Sequence, residues 1–207
     1  MKYVNDGGLF YMGNATRALS KEEFVLIIKT LRTGFKYLNK MGNEKLFKSN
    51  NRIATILLIQ ANLGLRIGDL LKLRLNNIIQ DGERYRLDLV EQKTNKRRIF
   101  TVPLEIYNYI KLYCYENSIS PTAQIFPIGE RAVQKQLKIV ADYLGLANVS
   151  THSFRKYFAT QVYINNNYDI MLVKELLQHS SVRTTQRYIT MNRETVEKAL
   201  REHVYII

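Results

Sequence analysis

The stretch His152-Ser153-Phe154-Arg155 sets an imidazole and a guanidinium three residues apart on a segment with helical periodicity. Thr151 can cap this helix at its start, and residues at i and i+3 share one face. Phe154 and Phe158 are spaced for the opposite face, which we expect to be buried. Since a helix N-terminus attracts anions, His152 and Arg155 can form a phosphate cradle there. A solvated basic face would show the same spacing.

A second polar segment, residues 177–188, reads Leu-Gln-His-Ser-Ser-Val-Arg-Thr-Thr-Gln-Arg-Tyr. His179 precedes a Ser-rich helix start, and Tyr188 closes the segment. Cleaving a phosphodiester without a metal needs cations around the non-bridging oxygens, an acid for the leaving oxygen and a nucleophile. Arginine suits the first role, lysine or histidine the second, and tyrosine the third. The chain carries candidates for all three, although a tyrosine, one of 14, is more commonly a packing residue.

The charge of the whole chain favours a polyanionic partner. Its 207 residues include 31 Lys plus Arg against 18 Asp plus Glu, which leaves a net charge of +13. Such a surplus favours nucleic acid, because each neutralised phosphate releases counterions. With 46% hydrophobic residues the composition is that of a globular chain, and its length suits one domain with a short arm.

The remaining composition bears on compartment and cofactors. The only cysteine, Cys114, excludes an internal disulfide and a cysteine-rich zinc module, and three histidines offer little for a metal cage. The N-terminal residues contain no apolar signal-peptide core, and no apolar run approaches the roughly 18 residues of a membrane span. We therefore expect a cytoplasmic, nucleoid-associated protein with no metal, no cofactor and no membrane partner.

Hydrophobic periodicity predicts an α+β fold, mostly α-helical with a small antiparallel sheet. Ser20 and Glu23 form a capping box that starts a helix. A second helix spans residues 51–63 and ends at Gly64, and a short helix follows to residue 71. Residues 84–89 alternate as a strand, a polar turn follows, and a second strand ends at Val102. The chain after Leu104 has helical patterns, with breaks near residues 121, 145 and 165–167.

The order of these motifs resembles the tyrosine recombinase (phage integrase) family. The resemblance covers residues 20–191 and rests on motifs that occur in one order along the chain. They are Gly64-Leu65-Arg66-Ile67-Gly68-Asp69-Leu70, Lys93 in a hairpin turn, His152-x-x-Arg155, Leu177-x-His179 and Tyr188. Their joint occurrence in this order is more specific than any one of them.

The resemblance implies a metal- and ATP-independent DNA strand transferase. Tyr188 would be the nucleophile, which attacks a DNA phosphate and holds its 3′ side as a phosphotyrosine. Arg66 and Arg155 would clamp the non-bridging oxygens, and His179 would donate a further hydrogen bond. His152 would assist proton transfer at the tyrosine.

Two further residues take roles by the same resemblance. Lys93, at the hairpin tip, would be the general acid for the leaving 5′ oxygen, although Lys96 lies in the same turn. Asp69 would support the site, facing Arg66 or His152, and would not take part in the chemistry.

A candidate DNA-reading helix spans residues 130–144. Its apolar stripe is Val133, Leu137, Val140 and Leu144. A second stripe carries Arg131, Lys135 and Lys138 at i, i+4 and i+7. A solvated charged face explains this pattern equally well, but the resemblance favours a helix that enters the major groove. Lys72, Arg74, Arg97 and Arg98 are expected to contact phosphates.

The domain organisation predicted from the resemblance has three parts. Residues 1–19 form an N-terminal arm, residues 20–190 the catalytic domain, and residues 191–207 a C-terminal helix and apolar tail. The tail is expected to dock either on its own protomer or on a neighbour. A separate DNA-clamping domain, common in the family, would be missing, as in the short invertases of bacterial phase variation.

The expected function is site-specific recombination, with DNA inversion ahead of integration or excision. The partners would be double-stranded DNA with inverted-repeat or attachment-type sites, a homotetramer on DNA and an accessory DNA-bending protein. Without DNA we expect a monomer, because the site must not cut before two sites pair. The alternatives are a type IB topoisomerase-like enzyme and a catalytically inactive sequence-specific DNA-binding regulator.

Overall fold

The computed structural model describes residues 16–39, 41–91, 95, 97–189 and 201. The helices are α1 (Lys21–Thr33), α2 (Asn51–Leu63), α3 (Ile67–Leu71), α4 (Leu104–Glu116), α5 (Glu130–Tyr143), α6 (Thr151–Asn165), α7 (Ile170–Leu177) and α8 (Val182–Gln186). The strands are β1 (Phe35–Leu38), β2 (Glu44–Phe47), β3 (Ile78–Asp81), β4 (Arg84–Val90) and β5 (Arg97–Val102). The predicted mixture of many helices with small antiparallel sheets is confirmed.

The starts and ends of the first helices agree with the sequence signals. The Ser20 hydroxyl accepts from the Glu23 N–H at 3.1 Å, and the Glu23 carboxylate accepts from the Ser20 N–H at 2.9 Å, so the predicted capping box is present. Gly64 ends α2 in the left-handed conformation, with φ of 60°. A Cβ at Gly64 would lie 2.3 Å from the Phe158 ring, so both the backbone angle and the close packing require glycine there.

The sheets agree only in part with the prediction. β4 and β5 pair antiparallel as expected, and β3 adds a third strand on the other side of β4. The β1–β2 hairpin was not predicted, because four-residue strands that mix apolar side chains with lysines give too short an alternation. Phe35 anchors this hairpin, since its ring stacks on Phe47 at 4.8 Å and on Tyr143 of α5 at 3.9 Å.

The C-terminal helices break where the sequence indicated. The segment between α4 and α5 is not helical and contains Pro121 and Pro127, and Gly145 follows α5 with φ of 68°. One cap differs by a residue. The cap of α6 is Ser150, whose hydroxyl accepts from the His152 N–H at 3.2 Å, whereas Thr151 is the first helical residue and is buried.

Helix α2 lies at the centre of the core. Nine of its thirteen residues are buried, and it packs against both α1 and α6. A helix buried on almost all sides needs little amphipathic pattern, and eight of its thirteen residues are apolar. The consequence for the site is that the end of α2, the Gly64 turn and the start of α3 are held firmly inside the domain.

Residues 16–19, at the end of the predicted arm, pack onto the domain. Leu19 is buried in the core, Arg17 forms an ion pair with Glu23 at 2.6 Å, and the Lys156 ammonium donates to the Thr16 carbonyl at 2.5 Å. The rest of the arm, residues 1–15, and most of the predicted C-terminal helix and tail lie outside the described residues.

Candidate active site

Arg66 stands where the Gly64 turn passes into α3. It is the residue before the helix, and its guanidinium is one-fifth exposed. It forms an ion pair with Glu91, which follows strand β4 and is fully buried. The turn therefore places the Arg66 guanidinium near the surface of the domain, where the buried Glu91 carboxylate pairs with it.

Arg155 points into the protein. It is fully buried on α6, and its guanidinium donates to the carbonyl oxygens of Gly64 and, at 3.0 Å, of Leu177. Burial, together with the charge of Arg66, lowers the pKa of Arg155 to about 10, so it remains a cation at neutral pH. The alternative of a solvated basic face is wrong for Arg155, although His152, one turn earlier, is exposed.

His179 is placed by an unusual helix end. Gln178 adopts the left-handed conformation after α7, with φ of 53°, and this turns the chain so that His179 lies inward. The His179 Nδ1 atom lies 3.1 Å from the hydroxyl of Thr185, a buried residue of α8. Burial, together with the charges of Arg155 and Arg66, lowers the pKa of His179 to about 4, so the imidazole is neutral at physiological pH.

Tyr188 lies two residues after the end of α8 and belongs to the same cluster. Its ring centroid is 4.6 Å from that of His179 and 5.9 Å from the guanidinium carbon of Arg155. The Thr160 hydroxyl contacts the Tyr188 carbonyl at 3.4 Å, and the ammonium of Lys156 lies 6.0 Å from its ring. The tyrosine is half-buried, and its neighbours are two cations and a neutral imidazole.

The other predicted site residues fall into three groups. His152 is exposed in the first turn of α6, and Asp69 is buried in α3, three residues after Arg66. Lys93, like Lys96, lies outside the described residues. The structure thus brings Arg66, Arg155, His179 and Tyr188 into one cluster.

Two buried charged residues were missed by sequence reasoning. Arg98 was expected to contact phosphate, and this is wrong, because its side chain is 2% exposed and donates to the carbonyls of Leu63 and Leu176. It also lies 3.8 Å from Glu91. Strand parity could have found both, since Arg98 shares a sheet face with the inward Val102, and Glu91 follows Leu87 at even spacing.

The candidate DNA-reading helix is amphipathic in the way its sequence indicates. Val133, Leu137 and Val140 are buried, while Arg131, Lys135 and Lys138 are exposed. Lys138 forms an ion pair with Asp142 at 2.5 Å. The helix ends at Tyr143, one residue before the predicted boundary.

The described part of the chain contains no helix both long and apolar enough to span a membrane. It also contains no cluster of three or more His, Cys, Asp or Glu side chains that could hold a metal ion.

The fold is that of a tyrosine recombinase catalytic domain. A model of the phage integrase family matches residues 18–195. Because that match covers most of the chain, the protein belongs to the phage integrase family.

Individual relatives agree with this assignment. The probable integrase/recombinase YoeC of Bacillus subtilis (strain 168) is 29% identical over 161 residues, covering 75% of this chain and 87% of that protein. The tyrosine recombinase XerD of Rickettsia prowazekii (strain Madrid E) is 28% identical over 204 residues, covering 89% of this chain and 64% of XerD. The chain thus spans most of YoeC but under two thirds of XerD.

Solved structures share the fold. The XerH recombinase bound to a palindromic difH substrate after cleavage superposes with a TM-score of 0.68 at 19% identity. The alignment covers 97% of this chain and 57% of XerH. XerA recombinase superposes with a TM-score of 0.65 at 21% identity, covering 93% of this chain and 66% of XerA.

Proposed function

We propose that this protein is a site-specific DNA recombinase that cuts and rejoins strands through a 3′-phosphotyrosine at Tyr188. The observation that carries the proposal is the cluster itself, in which the Tyr188 ring lies 5.9 Å from the guanidinium carbon of the buried Arg155 and 4.6 Å from the neutral His179 ring. A packing tyrosine does not need a fully buried arginine and an inward histidine beside it. A phosphoryl-transfer site does need them, because charge builds up on the phosphate oxygens in the transition state.

The two arginines serve as the phosphate clamp. Main-chain carbonyls fix the Arg155 guanidinium by its two Nη atoms, and its buried Nε has no hydrogen-bond partner among the described residues. Arg66, one-fifth exposed, supplies a second cation at the domain edge. Fixed donors of this kind stabilise a charged transition state without having to reorganise.

The covalent step exchanges one phosphoester for another. The phenolic oxygen of Tyr188 attacks phosphorus, the bond from phosphorus to the 5′ oxygen breaks, and the strand leaves as a 5′ hydroxyl. We assign the phenolic proton to His152 and the proton on the leaving oxygen to Lys93. Reversal by a 5′ hydroxyl of a partner strand releases Tyr188, so the bond energy is conserved and no ATP is needed.

His179 acts as a neutral hydrogen-bonding group and not as a cation. Its lowered pKa keeps the imidazole uncharged, and its Nδ1 is engaged by Thr185. Nε2 is then the atom available to a phosphate oxygen, with the ring orientation fixed by the threonine hydroxyl.

The DNA partner is supported by the α5 surface and by the net charge of +13. Arg131, Lys135 and Lys138 project from one side of α5 while its other side is locked in the core. We propose that this face enters the major groove and that a tetramer assembles on two sites. The XerH structure with a similar fold is itself bound to DNA.

Long-read sequencing of host DNA tests the proposal and identifies the rearrangement. Cells would express the wild type or Tyr188→Phe, and junctions present only with the wild type would be mapped. Inverted junctions between short inverted repeats would support inversion, which we propose first, whereas circles and empty loci would support integration and excision. A protein that binds DNA but gives no Tyr188-dependent junction would be a DNA-binding regulator instead.

A further inference from the structure

Two buried arginines connect the same two helix ends. Arg155 donates to the carbonyls of residues 64 and 177, and Arg98 donates to those of residues 63 and 176. Each arginine therefore joins the C-terminal end of α2 to that of α7. Carbonyls at a helix C-terminus carry partial negative charge and hold a cation well.

Arg98 differs from Arg155 in the element that carries it. It lies on β5, so it connects the sheet to the two helix ends. Arg155, by contrast, faces Tyr188 and the reacting side of the cluster. Among the described residues, Arg98 therefore connects secondary-structure elements and does not contact the nucleophile.

Glu91 links Arg98 to Arg66 of the candidate site. Its carboxylate, with no solvent exposure, pairs with Arg66 through Oε2 and lies 3.8 Å from Arg98 through Oε1. Three guanidinium groups, of Arg66, Arg98 and Arg155, influence one another electrostatically in this small volume. A buried carboxylate there offsets their repulsion and gives Arg66 a fixed direction.

We propose that Glu91, which lies 3.8 Å from Arg98, is a positioning residue that sets the orientation of Arg66 for the scissile phosphate. This inference rests on the proposed recombinase function. The carboxylate does not touch DNA. It acts by holding a guanidinium that does.

The test is single-turnover cleavage of the recombination site by the full-length protein, followed as covalent protein–DNA complex at saturating protein. Glu91→Gln keeps the shape and removes the charge, and we expect its cleavage rate constant to fall by about tenfold to a hundredfold. DNA affinity should stay within about twofold, because α5 is untouched. Glu91→Asp, which keeps the charge, should recover part of the rate.

Asp88→Asn is the matched control. Asp88 lies on β4, three residues before Glu91, and pairs with an arginine of β5, Arg97, at 2.5 Å, but that pair is open to solvent. Its loss should leave cleavage unchanged.

A substrate with a neutral methylphosphonate at the cleaved position separates positioning from a merely structural role. Arg66 acts on the charged oxygen, so the Glu91→Gln defect should shrink on this substrate. A structural defect would reduce cleavage of both substrates equally. On the methylphosphonate, adding Glu91→Gln to Arg66→Ala should cause no further loss, since residues that act through each other are not additive.

A second variant keeps the inference testable if Glu91→Gln fails to fold. If Glu91→Gln does not fold, Glu91→Gln with Arg98→Met removes both buried charges together, and cleavage should still be impaired while DNA binding persists. If the wild type cleaves and Glu91→Gln is equally active, the positioning role of Glu91 is wrong while the proposed recombinase function stands. Absence of covalent complex with the wild type would overturn the proposed function itself.

Discussion

The site arginines and the α5 cations are both basic groups, yet they meet solvent in opposite ways. Arg155 has no exposed surface and donates to two main-chain carbonyls, whereas Lys135 projects freely from α5. Burying a cation carries a desolvation penalty that only fixed interaction partners can offset. An exposed cation keeps its hydration, and salt screens its interactions. The buried set is therefore suited to orienting one phosphate, and the exposed set to holding many phosphates loosely.

Removing the nucleophile should separate the two regions most completely. Tyr188→Phe lacks the phenolic oxygen, so we expect covalent complex to fall below detection. DNA affinity should not change, because the α5 face is intact. Denaturing gels with labelled DNA measure the first quantity and a filter-binding titration the second.

Two outcomes would contradict this prediction. Covalent complex retained by Tyr188→Phe would show that another residue attacks the phosphate. Loss of DNA affinity would show that the tyrosine serves binding, and the division between the regions would fail.

Arg155→Lys tests whether the guanidinium fork matters as much as the charge. One ammonium cannot reproduce the paired contacts to the carbonyls of Gly64 and Leu177. We expect the cleavage rate constant to fall by roughly 10²–10³-fold, the cost of losing one preorganised donor. The melting temperature should also fall, as measured by calorimetry.

Arg86→Lys is the control for this substitution. Arg86 is exposed on β4 and pairs with Asp81 at 2.7 Å, so the same change there should leave both cleavage and melting unaltered. Equal effects at the two positions would mean that burial of Arg155 has no special role.

The pH dependence of stability should report on His179. Its pKa is about 4 in the folded protein against about 6.5 when unfolded. As the pH falls below 6.5 the unfolded chain takes up a proton that the folded chain refuses, so this group makes the protein less stable down to pH 4. Above pH 6.5 both states are neutral and the effect disappears.

The measurement is the melting temperature across that pH window. His179→Asn should flatten part of the decline, whereas His152→Asn, at an exposed position, should leave it in place. If both variants behave alike, the lowered pKa of His179 does not contribute to acid lability.

Local signals accounted for the parts of the fold that short-range physics determines. The Ser20–Glu23 capping box and the glycine after α2 both follow from backbone groups and φ angles within a few residues. The β1–β2 hairpin escaped prediction because its stability depends on Phe35 stacking against Tyr143, more than a hundred residues away. Contacts between residues so far apart in the chain do not show in the apolar/polar alternation of a short strand.

The site was predictable in its residue types but not in its burial. The spacing of His152 and Arg155 suggested a shared face, yet one is exposed and the other buried, because a three-residue step turns the helix by less than a full revolution. Both Arg97 and Arg98 are expected from the sequence to contact phosphate, although neighbouring residues of a strand face opposite sides of the sheet. Their places on opposite faces of β5 make one an exposed partner of Asp88 and the other a buried tie between helices.

The smallest expected effect belongs to the exposed face. Lys135→Gln removes one cation from α5, and we expect DNA affinity to drop a few-fold with the salt dependence of log K shallower by about 1, as for one lost phosphate contact. The cleavage rate constant at saturating protein should not change, because Arg155 and Tyr188 are untouched. Lys138→Gln should cost less, since Lys138 is shared with Asp142. Lys29→Gln, exposed on α1, is the control: an equal loss there would show that DNA responds to the net charge of +13 and not to the α5 face.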